Sequence, residues 1–275
     1  MRRIVTRFFI SLGIFIAITL FGFVFWVRDR YVVPILAYHH VGGSLDKFEK
    51  LNIVSVQSFE EQMFFLKKNG YKVVSFKDLI EGINKGYAFA HNTVVIQFDD
   101  GYEDNYTNAF PVLKKYQFSA MVFLISDSIG TPGFLTWNQV KEMESYDFKA
   151  GAHTRRHSYL PEISLEEAKE EIVGSKRIIE EHLEHAIDYF AYPSGGFTKE
   201  VQAFVKEAGY KAAVTTNRGR SKFNNEDLYA LKRIRMNEND SKFMSIALWA
   251  KCSGYYNLFR KKKDGGNQER LYKIK

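Results

Sequence analysis

Eight short segments rich in β-branched and aromatic residues recur between positions 32 and 235, and helical patterns separate most of them. This alternation is typical of a parallel sheet covered by helices, either left open or closed into a barrel. The predicted strands span residues 32–38, 71–74, 93–98, 120–125, 148–152, 187–192, 211–215 and 229–235. No linker, internal repeat or low-complexity tract interrupts residues 31–250, and we therefore expect one domain there.

Local signals predict where some of the helices begin and end. The runs that start at Ser58 and Ser164 each place a glutamate three residues later, which is the pattern of a capping box. Gly70 and Gly209 stand where helical patterns stop, as glycine commonly does after a helix.

Residues 8–27 form an uncharged run of twenty residues rich in phenylalanine and isoleucine. A helix of that length spans ~30 Å, the thickness of the hydrocarbon core of a bilayer. The apolar region of a cleavable signal peptide is usually only ~7–15 residues long, and no small-x-small cleavage site follows the run, so we expect an uncleaved signal anchor within residues 1–30. Because Arg2, Arg3 and Arg7 precede the run, we expect a single-pass protein of the cell membrane with a cytoplasmic N-terminus and an outward-facing domain.

The formal net charge of +7 resides at the two ends of the chain. Residues 1–30 hold five arginines and one aspartate, residues 255–275 hold seven basic and two acidic residues, and the body between them holds 27 basic and 29 acidic residues. A nucleic-acid-binding protein carries its basic surface on the folded body, so we expect no nucleic-acid partner. We expect residues 251–275 to be a flexible basic tail, with contact to an anionic envelope polymer as the alternative. The single cysteine, Cys252, excludes an intramolecular disulfide and a cysteine-rich metal site.

Candidate site residues lie at the ends of four of the predicted strands or directly after them. They are His39 and His40 after the first strand, Asp99 and Asp100 after the third, His153 and His157 after the fifth, and Tyr192, Pro193 and Ser194 after the sixth. Because the carboxyl ends of parallel strands meet at one rim of a β/α fold, we expect these residues to converge.

Two histidines and one carboxylate are a common ligand set of catalytic zinc, which leaves one position for water. Alone, the pair His153 and His157 fits a metal site or a solvated helical face equally well, and the two aspartates also fit an ordinary turn. Adjacent acids at a strand end point to opposite faces, so one can bind an ion while the other serves another role. Zn²⁺ is the first expectation, and Co²⁺, Ni²⁺ and Fe²⁺ accept the same ligands.

Phe98-Asp99-Asp100-Gly101 and His153-Thr154-x-x-His157, supported by Ala191-Tyr192-Pro193-x-Gly195, resemble the motifs of the polysaccharide deacetylases, the family-four carbohydrate esterases. The resemblance covers roughly residues 33–237. The start of the domain, from Ile35 to Val41, resembles a circularly permuted subgroup that includes deacetylases of biofilm poly-N-acetylglucosamine. The resemblance implies an irregular (β/α) barrel of about seven strands, and the uncharged run at residues 8–27 predicts one N-terminal transmembrane helix before it.

The same resemblance implies roles for individual residues. Asp100, His153 and His157 would bind a divalent metal, and Asp99 would be the general base that takes a proton from the attacking water. His39 would be the acid that protonates the departing amine, with His40 as the reserve.

The remaining site residues are assigned by the same comparison of motifs. A backbone N–H near Ser194, beside Tyr192 and Pro193, would complete the oxyanion site. Trp137 resembles a tryptophan that lines the pocket in the family, although a position in the core fits it as well.

Two departures from the family pattern concern the acid and the base. Members that are not permuted carry a Leu-x-His near the end of the domain, whereas this chain has no histidine after His185, and His39 would fill that place. The family arginine that orients the base is replaced by Ala191. We suggest Arg233, in the last predicted strand, as a substitute, and the alternative is a surface residue at a strand end.

These observations predict a membrane-anchored, metal-dependent hydrolase that removes N-acetyl groups from a GlcNAc-containing polysaccharide outside the cell, such as biofilm poly-N-acetylglucosamine or peptidoglycan. One alternative is a catalytically weak relative that binds glycan or acts as a scaffold, and another is an O-acetyl polysaccharide esterase. A glycosidase is disfavoured because Asp99 and Asp100 are adjacent, whereas its two carboxyl groups stand ~5 Å or ~6.5–9.5 Å apart across the scissile bond.

Overall fold

The computed structural model describes residues 12–19, 21–22, 32–42, 52–216, 227–238, 240 and 251–252. Residues 12–19 and 21–22 are helical. The rest of the expected anchor at 8–27, and the basic tail beyond residue 252, lie outside the described residues. Among the described residues, no helix combines the length and the apolar character that a membrane span needs.

Parallel strands build the centre of the fold. They are β1 Ile35–Tyr38, β2 His40–Val41, β3 Ile53–Val54, β4 Lys72–Val73, β5 Thr93–Phe98, β6 Ala120–Leu124, β7 Phe148–Ala152, β8 Tyr189–Ala191, β9 Ala212–Thr215, β10 Leu231–Lys232 and β11 Ile234–Arg235. The main sheet has the order β10-β9-β8-β7-β6-β5-β1-β11, β4 also pairs with β5, and β2 pairs with β3. Every pairing between these strands is parallel.

The two ends of this sheet are consecutive in the chain, because Arg233 alone separates β10 from β11. One extended segment therefore pairs with β9 through Leu231 and Lys232, and with β1 through Ile234 and Arg235. Counted as one strand, it brings the main path to seven strands and nearly closes the sheet into a barrel. The predicted α/β barrel is confirmed, and each of the eight predicted strands overlaps an observed strand.

Helices pack around the barrel and across one of its ends. They are α1 Val56–Lys68, α2 Phe76–Asn84, α3 Phe110–Tyr116, α4 Trp137–Glu144, α5 Leu165–Leu183 and α6 Lys199–Glu207, and a π-helical turn at Asn105–Ala109 precedes α3. The capping box predicted at Ser164 is present, with Glu167 as its partner. Gly70 and Gly209 follow α1 and α6 with φ of 69° and 80°, as predicted for glycines after helices.

The capping box predicted at Ser58 is wrong, because α1 begins earlier, at Val56. Ser55 is the N-cap, and its Oγ accepts the N–H of Ser58. The hydroxyl of Ser58 donates to Glu238 Oε1 at 2.8 Å, so it serves a tertiary contact in place of a cap. The sequence places serines at both positions, and the local pattern alone does not say which of them ends the loop.

Strand side chains alternate between two buried clusters. The inner cluster includes Ile35, Val95 and Phe123, together with residues of α2 that close the amino end of the barrel, where Phe76 contacts Tyr189. The outer cluster packs the other strand faces against the remaining helices. Each fully buried aliphatic or aromatic side chain contributes about 1.5–3 kcal/mol, so this double core holds the strand ends in fixed positions.

Candidate active site

Asp99 follows β5 and forms a buried, bidentate ion pair with Arg233. Arg233 Nη1 donates to Asp99 Oδ1 and Nη2 donates to Oδ2, both at 2.6 Å. The two side chains are 1% and 2% exposed, so neither charge reaches bulk water. A fork-to-fork pair of this kind fixes the plane of the carboxylate as well as its charge. The structure thus places Arg233 against Asp99 and not at the surface, while its catalytic role stays a prediction.

The protonation states beside this pair follow from burial and from neighbouring charges. Burial alone would raise the pKa of Asp99, but the charges of Arg233 and His153 outweigh it and hold that pKa below its usual range. His39 Nε2 lies 3.8 Å from Asp99 Oδ2. Burial lowers the pKa of His39 more than the two aspartates raise it, so its imidazole is mainly neutral near pH 7.

Asp100, His153 and His157 form a cluster whose three ligand atoms lie within 4.8 Å of one another. Nε2 of each histidine lies 3.4 Å from Asp100 Oδ1, and that oxygen is buried without a hydrogen bond to any described residue. His153 Nδ1 donates to the carbonyl of Ala191 at 2.7 Å, so Nε2 is the ring nitrogen that faces the cluster. Among the described residues, this is the one group of three or more such side chains that could hold a metal ion.

The donor set fits a divalent metal of the zinc type. Burial would raise the pKa of Asp100, but the imidazoles of His153, His39 and His157 outweigh it and hold that pKa below its usual range. Burial and the charge of His153 lower the pKa of His157, which favours the neutral imidazole that a metal requires. The structure brings the three predicted ligands together, and the metal itself stays a prediction.

Backbone strain is concentrated at this site. Seven described residues other than glycine have a positive φ, and four of them are Asp100 (74°), Thr154 (65°), His157 (61°) and Ser194 (54°). Such conformations cost roughly 1–3 kcal/mol each and persist where the surroundings determine them. Each of the three strands β5, β7 and β8 therefore ends in a turn that redirects the side chains that follow it.

The loop from His153 to His157 is held on both sides. The backbone N–H groups of Ser126 and Asp127 donate to the carbonyls of Thr154 and Arg155 at 3.2 and 3.0 Å. On the other side, Glu171 of α5 accepts hydrogen bonds from the loop backbone. Glu171 was not singled out from the sequence, because no local pattern separates it from the other glutamates of α5.

The turn after β8 carries the residues expected at the oxyanion site. Gly195 has a φ of 73°, and a Cβ built on it would lie 2.1 Å from Thr216 Oγ1. Thr216 Oγ1 donates to the carbonyl of Ser194 at 2.9 Å, and Thr215 Oγ1 donates to that of Gly195 at 2.7 Å. Pro193 is buried within the same turn. These contacts tie the turn to the end of β9.

Two aromatic residues and the reserve histidine have partners of their own. The buried ring of Tyr192 stacks on Phe197 at 4.6 Å. Trp137 stacks on His182, near the end of α5 that leads toward β8, so its place beside the substrate stays a prediction. The imidazole of His40 stacks on Tyr102 and shares a 2.7 Å hydrogen bond with Asp104, so this ring is engaged away from Asp99.

Comparison with known proteins identifies the family. A sequence model described as polysaccharide deacetylase matches residues 87–213. YxkH of Bacillus subtilis (strain 168), provisionally named a polysaccharide deacetylase, is 33% identical over 206 residues, which cover 74% of this chain and 71% of that protein. The chain belongs to the polysaccharide deacetylase family. The predicted family membership is confirmed.

One further relative and one solved structure are similar to this chain over most of the domain. The poly-beta-1,6-N-acetyl-D-glucosamine N-deacetylase of Staphylococcus aureus (strain MRSA252) is 26% identical over 200 residues, 68% of this chain and 68% of that protein. The structure of the Streptococcus pyogenes deacetylase PplD in complex with acetate matches with a TM-score of 0.70 and 30% identity, covering 77% of this chain and 95% of that chain.

The residues that the family model matches do not include the whole candidate site. The matched range encloses Asp99, Asp100 and the two histidines of the cluster, but residues 39 and 233 lie outside it. Arg233, between β10 and β11, follows the matched range and pairs with Asp99, whereas His39, directly after β1, precedes the matched range.

Proposed function

We propose that this polysaccharide deacetylase is a metal-dependent hydrolase that removes N-acetyl groups from a GlcNAc-containing polymer outside the cell. The observation that carries the proposal is the pairing of two units at one rim of the barrel. One unit is the ionised Asp99 held by Arg233, and the other is the cluster of Asp100, His153 and His157.

The residues of the cluster would hold the metal, with Zn²⁺ as the first choice and Co²⁺, Ni²⁺ or Fe²⁺ as alternatives. When bound, a divalent metal polarises a carbonyl and lowers the pKa of water. Asp99 accepts a proton from the attacking water through a lone pair that Arg233 leaves free, because each carboxylate oxygen has two acceptor sites. Arg233 keeps Asp99 ionised before the water attacks, as the lowered pKa of that carboxylate indicates.

His39 then completes the proton transfer. Its imidazole is neutral at rest and its Nε2 lies 3.8 Å from Asp99 Oδ2, so the proton taken by Asp99 would reach His39 through one bridging water. Because its pKa is lowered, the resulting imidazolium is a strong donor toward the departing amine as the amide C–N bond breaks. A backbone N–H near Ser194 would donate to the oxygen on which negative charge develops.

The substrate class and the location are part of the same proposal. The staphylococcal relative is named for poly-beta-1,6-N-acetyl-D-glucosamine, which supports a β-1,6-linked GlcNAc polymer as the first candidate and leaves peptidoglycan as the second. The uncharged run at residues 8–27 supports an anchored protein whose catalytic domain faces outward.

The decisive experiment measures acetate released by the full-length chain in mild detergent. The substrates are β-1,6-linked N-acetylglucosamine oligomers, β-1,4-linked oligomers and peptidoglycan, each tested with the metal-stripped protein and after addition of Zn²⁺ or Co²⁺. Asp100→Ala is the control, because it removes a ligand of the cluster but leaves the Asp99–Arg233 pair. We expect release that depends on metal, is lost in the control and leaves the oligomer length unchanged.

Other results would redirect the assignment. Release from O-acetylated xylan without release from any GlcNAc polymer would replace the amide substrate with an ester. Glycan binding without release in the metal-loaded protein would replace the enzyme with a binding module. Shortened oligomers would point to a glycosidase.

A further inference from the structure

Glu171 is an acid on α5 whose side chain is 1% exposed, and it lies against the loop between His153 and His157. Its Oε2 accepts the backbone N–H groups of Arg155 and Arg156, each at 2.9 Å. Its Oε1 accepts from Arg156 Nε at 2.8 Å. The two N–H groups belong to the residues directly before His157, so this carboxylate holds the backbone that presents a member of the metal cluster.

The two histidines of the cluster are supported in different ways. His153 is 2% exposed, its N–H bonds to Leu124, and its Nδ1 donates to Ala191. His157 is 39% exposed and has a left-handed φ of 61°. Its backbone N–H donates to Thr154 Oγ1 at 3.0 Å, which closes the loop on itself. The position of His157 therefore depends on how the loop is anchored, whereas that of His153 depends on β7 and its neighbours.

A loop with two left-handed residues, Thr154 and His157, persists where external contacts fix it. On the side of α5, the contacts to its backbone N–H groups come from Glu171. The neighbouring acid, Glu170, pairs only with the side chain of Arg155 in the hydrogen bonds described, and it is 52% exposed. Glu171 therefore contacts the backbone of the loop, whereas its neighbour Glu170 contacts only a side chain of the same loop.

We propose that Glu171 is a positioning residue for the metal centre. Its carboxylate holds the backbone of Arg155 and Arg156 so that His157 Nε2 stays beside Asp100 Oδ1, at 3.4 Å. Residues that orient metal ligands typically contribute about 10–100-fold to metal affinity. This inference rests on the metal-dependent function proposed above, and it assigns the effect of Glu171 to His157 and not to His153.

The test measures Zn²⁺ affinity of the full-length protein by competition with a chromogenic chelator. Glu171→Leu removes both acceptor oxygens, and we expect affinity to fall by about 10–100-fold. Glu171→Gln retains one acceptor oxygen without the charge, and we expect a loss of about 3–10-fold. The matched control is Glu170→Gln, which we expect to change affinity by less than about twofold.

A double-mutant cycle separates positioning from a general loss of structure. If Glu171 acts through His157, then Glu171→Leu should add little to the loss of affinity caused by His157→Ala. Full additivity in the cycle would overturn the inference, as would wild-type affinity in a folded Glu171→Leu protein. Where Glu171→Leu does not fold, Glu171→Gln is combined with His157→Ala and decides by the same criteria. A wild-type protein that binds no Zn²⁺ would refute the proposed metal centre as a whole, which distinguishes the two failures.

Discussion

Replacing Arg233 with methionine should destabilise the protein by about 3–5 kcal/mol at neutral pH, because it leaves the charge of Asp99 buried without its partner. The structure supports the upper part of that range, since both side chains are almost fully buried and two 2.6 Å hydrogen bonds are lost. Methionine retains most of the apolar volume of the arginine stem, so the change isolates the guanidinium.

The pH dependence of this loss is a sharper test than its size. In the wild-type protein the pKa of Asp99 is lowered, so the stability that Asp99 contributes is present above its unfolded pKa of about 3.9 and is lost as the pH falls. In Arg233→Met burial remains without the cation, so the pKa of Asp99 rises above its unfolded value. The deficit in unfolding free energy should then grow by about 1.4 kcal/mol per pH unit from pH 5 until the pH exceeds the raised pKa.

Urea unfolding followed by circular dichroism at pH 5, 6.5 and 8 measures both quantities. Arg177→Met is the control, because Arg177 is 64% exposed and its pairing with Glu181 is loose, so we expect a change within about 0.5 kcal/mol at each pH. Acetate release by Arg233→Met should fall by about 10²–10⁴-fold while bound metal is retained. A deficit below about 1 kcal/mol that does not vary with pH, together with near-normal turnover, would refute this account of the ion pair.

Further changes test the remaining parts of the site. Asp100→Ala should abolish stoichiometric Zn²⁺ binding in a protein that still unfolds cooperatively, and retention of the metal would exclude Asp100 as a ligand. His39→Asn should lower the rate of acetate release by about 10²–10⁴-fold, whereas His40→Asn should spare most of it, and the reverse order would make His40 the acid. Gly195→Ala should be more destabilising than Gly130→Ala by about 1 kcal/mol or more in thermal unfolding, because both have a positive φ but only the former meets Thr216, and equal losses would contradict the packing described.

The strands and the metal cluster could be predicted from the sequence because their signals are local. Each buried strand of the barrel is a short β-rich run, and the cluster combines a carboxylate directly after one run with two histidines after another. Neither the start of α1 nor the pair β2–β3 could be placed in this way. Ser55 and Ser58 both donate hydrogen bonds to Glu238, which is 180 residues from Ser58, and a local pattern does not reveal such contacts.

The pairings that complete the site are not local, and the sequence indicated them only in part. Arg233 was suggested because the family arginine is absent at Ala191, yet no spacing rule joins residues that are 134 positions apart. Glu171 was missed because its partners are backbone N–H groups, which every non-proline residue carries and which no sequence pattern reports.

Because Arg233 lies between β10 and β11, the two parts of the candidate site depend on different strand pairings. The cluster residues all lie between positions 100 and 157, after β5 and β7, which both pair with β6. Arg233, the partner of Asp99, comes beside it when the segment 231–235 pairs with both β9 and β1. A chain that stops short of this segment would keep Asp100, His153 and His157 but would leave the carboxylate of Asp99 without the charge of Arg233. If Asp99 is the base, the hydrolytic site is complete only in a chain whose segment 231–235 pairs with both β9 and β1.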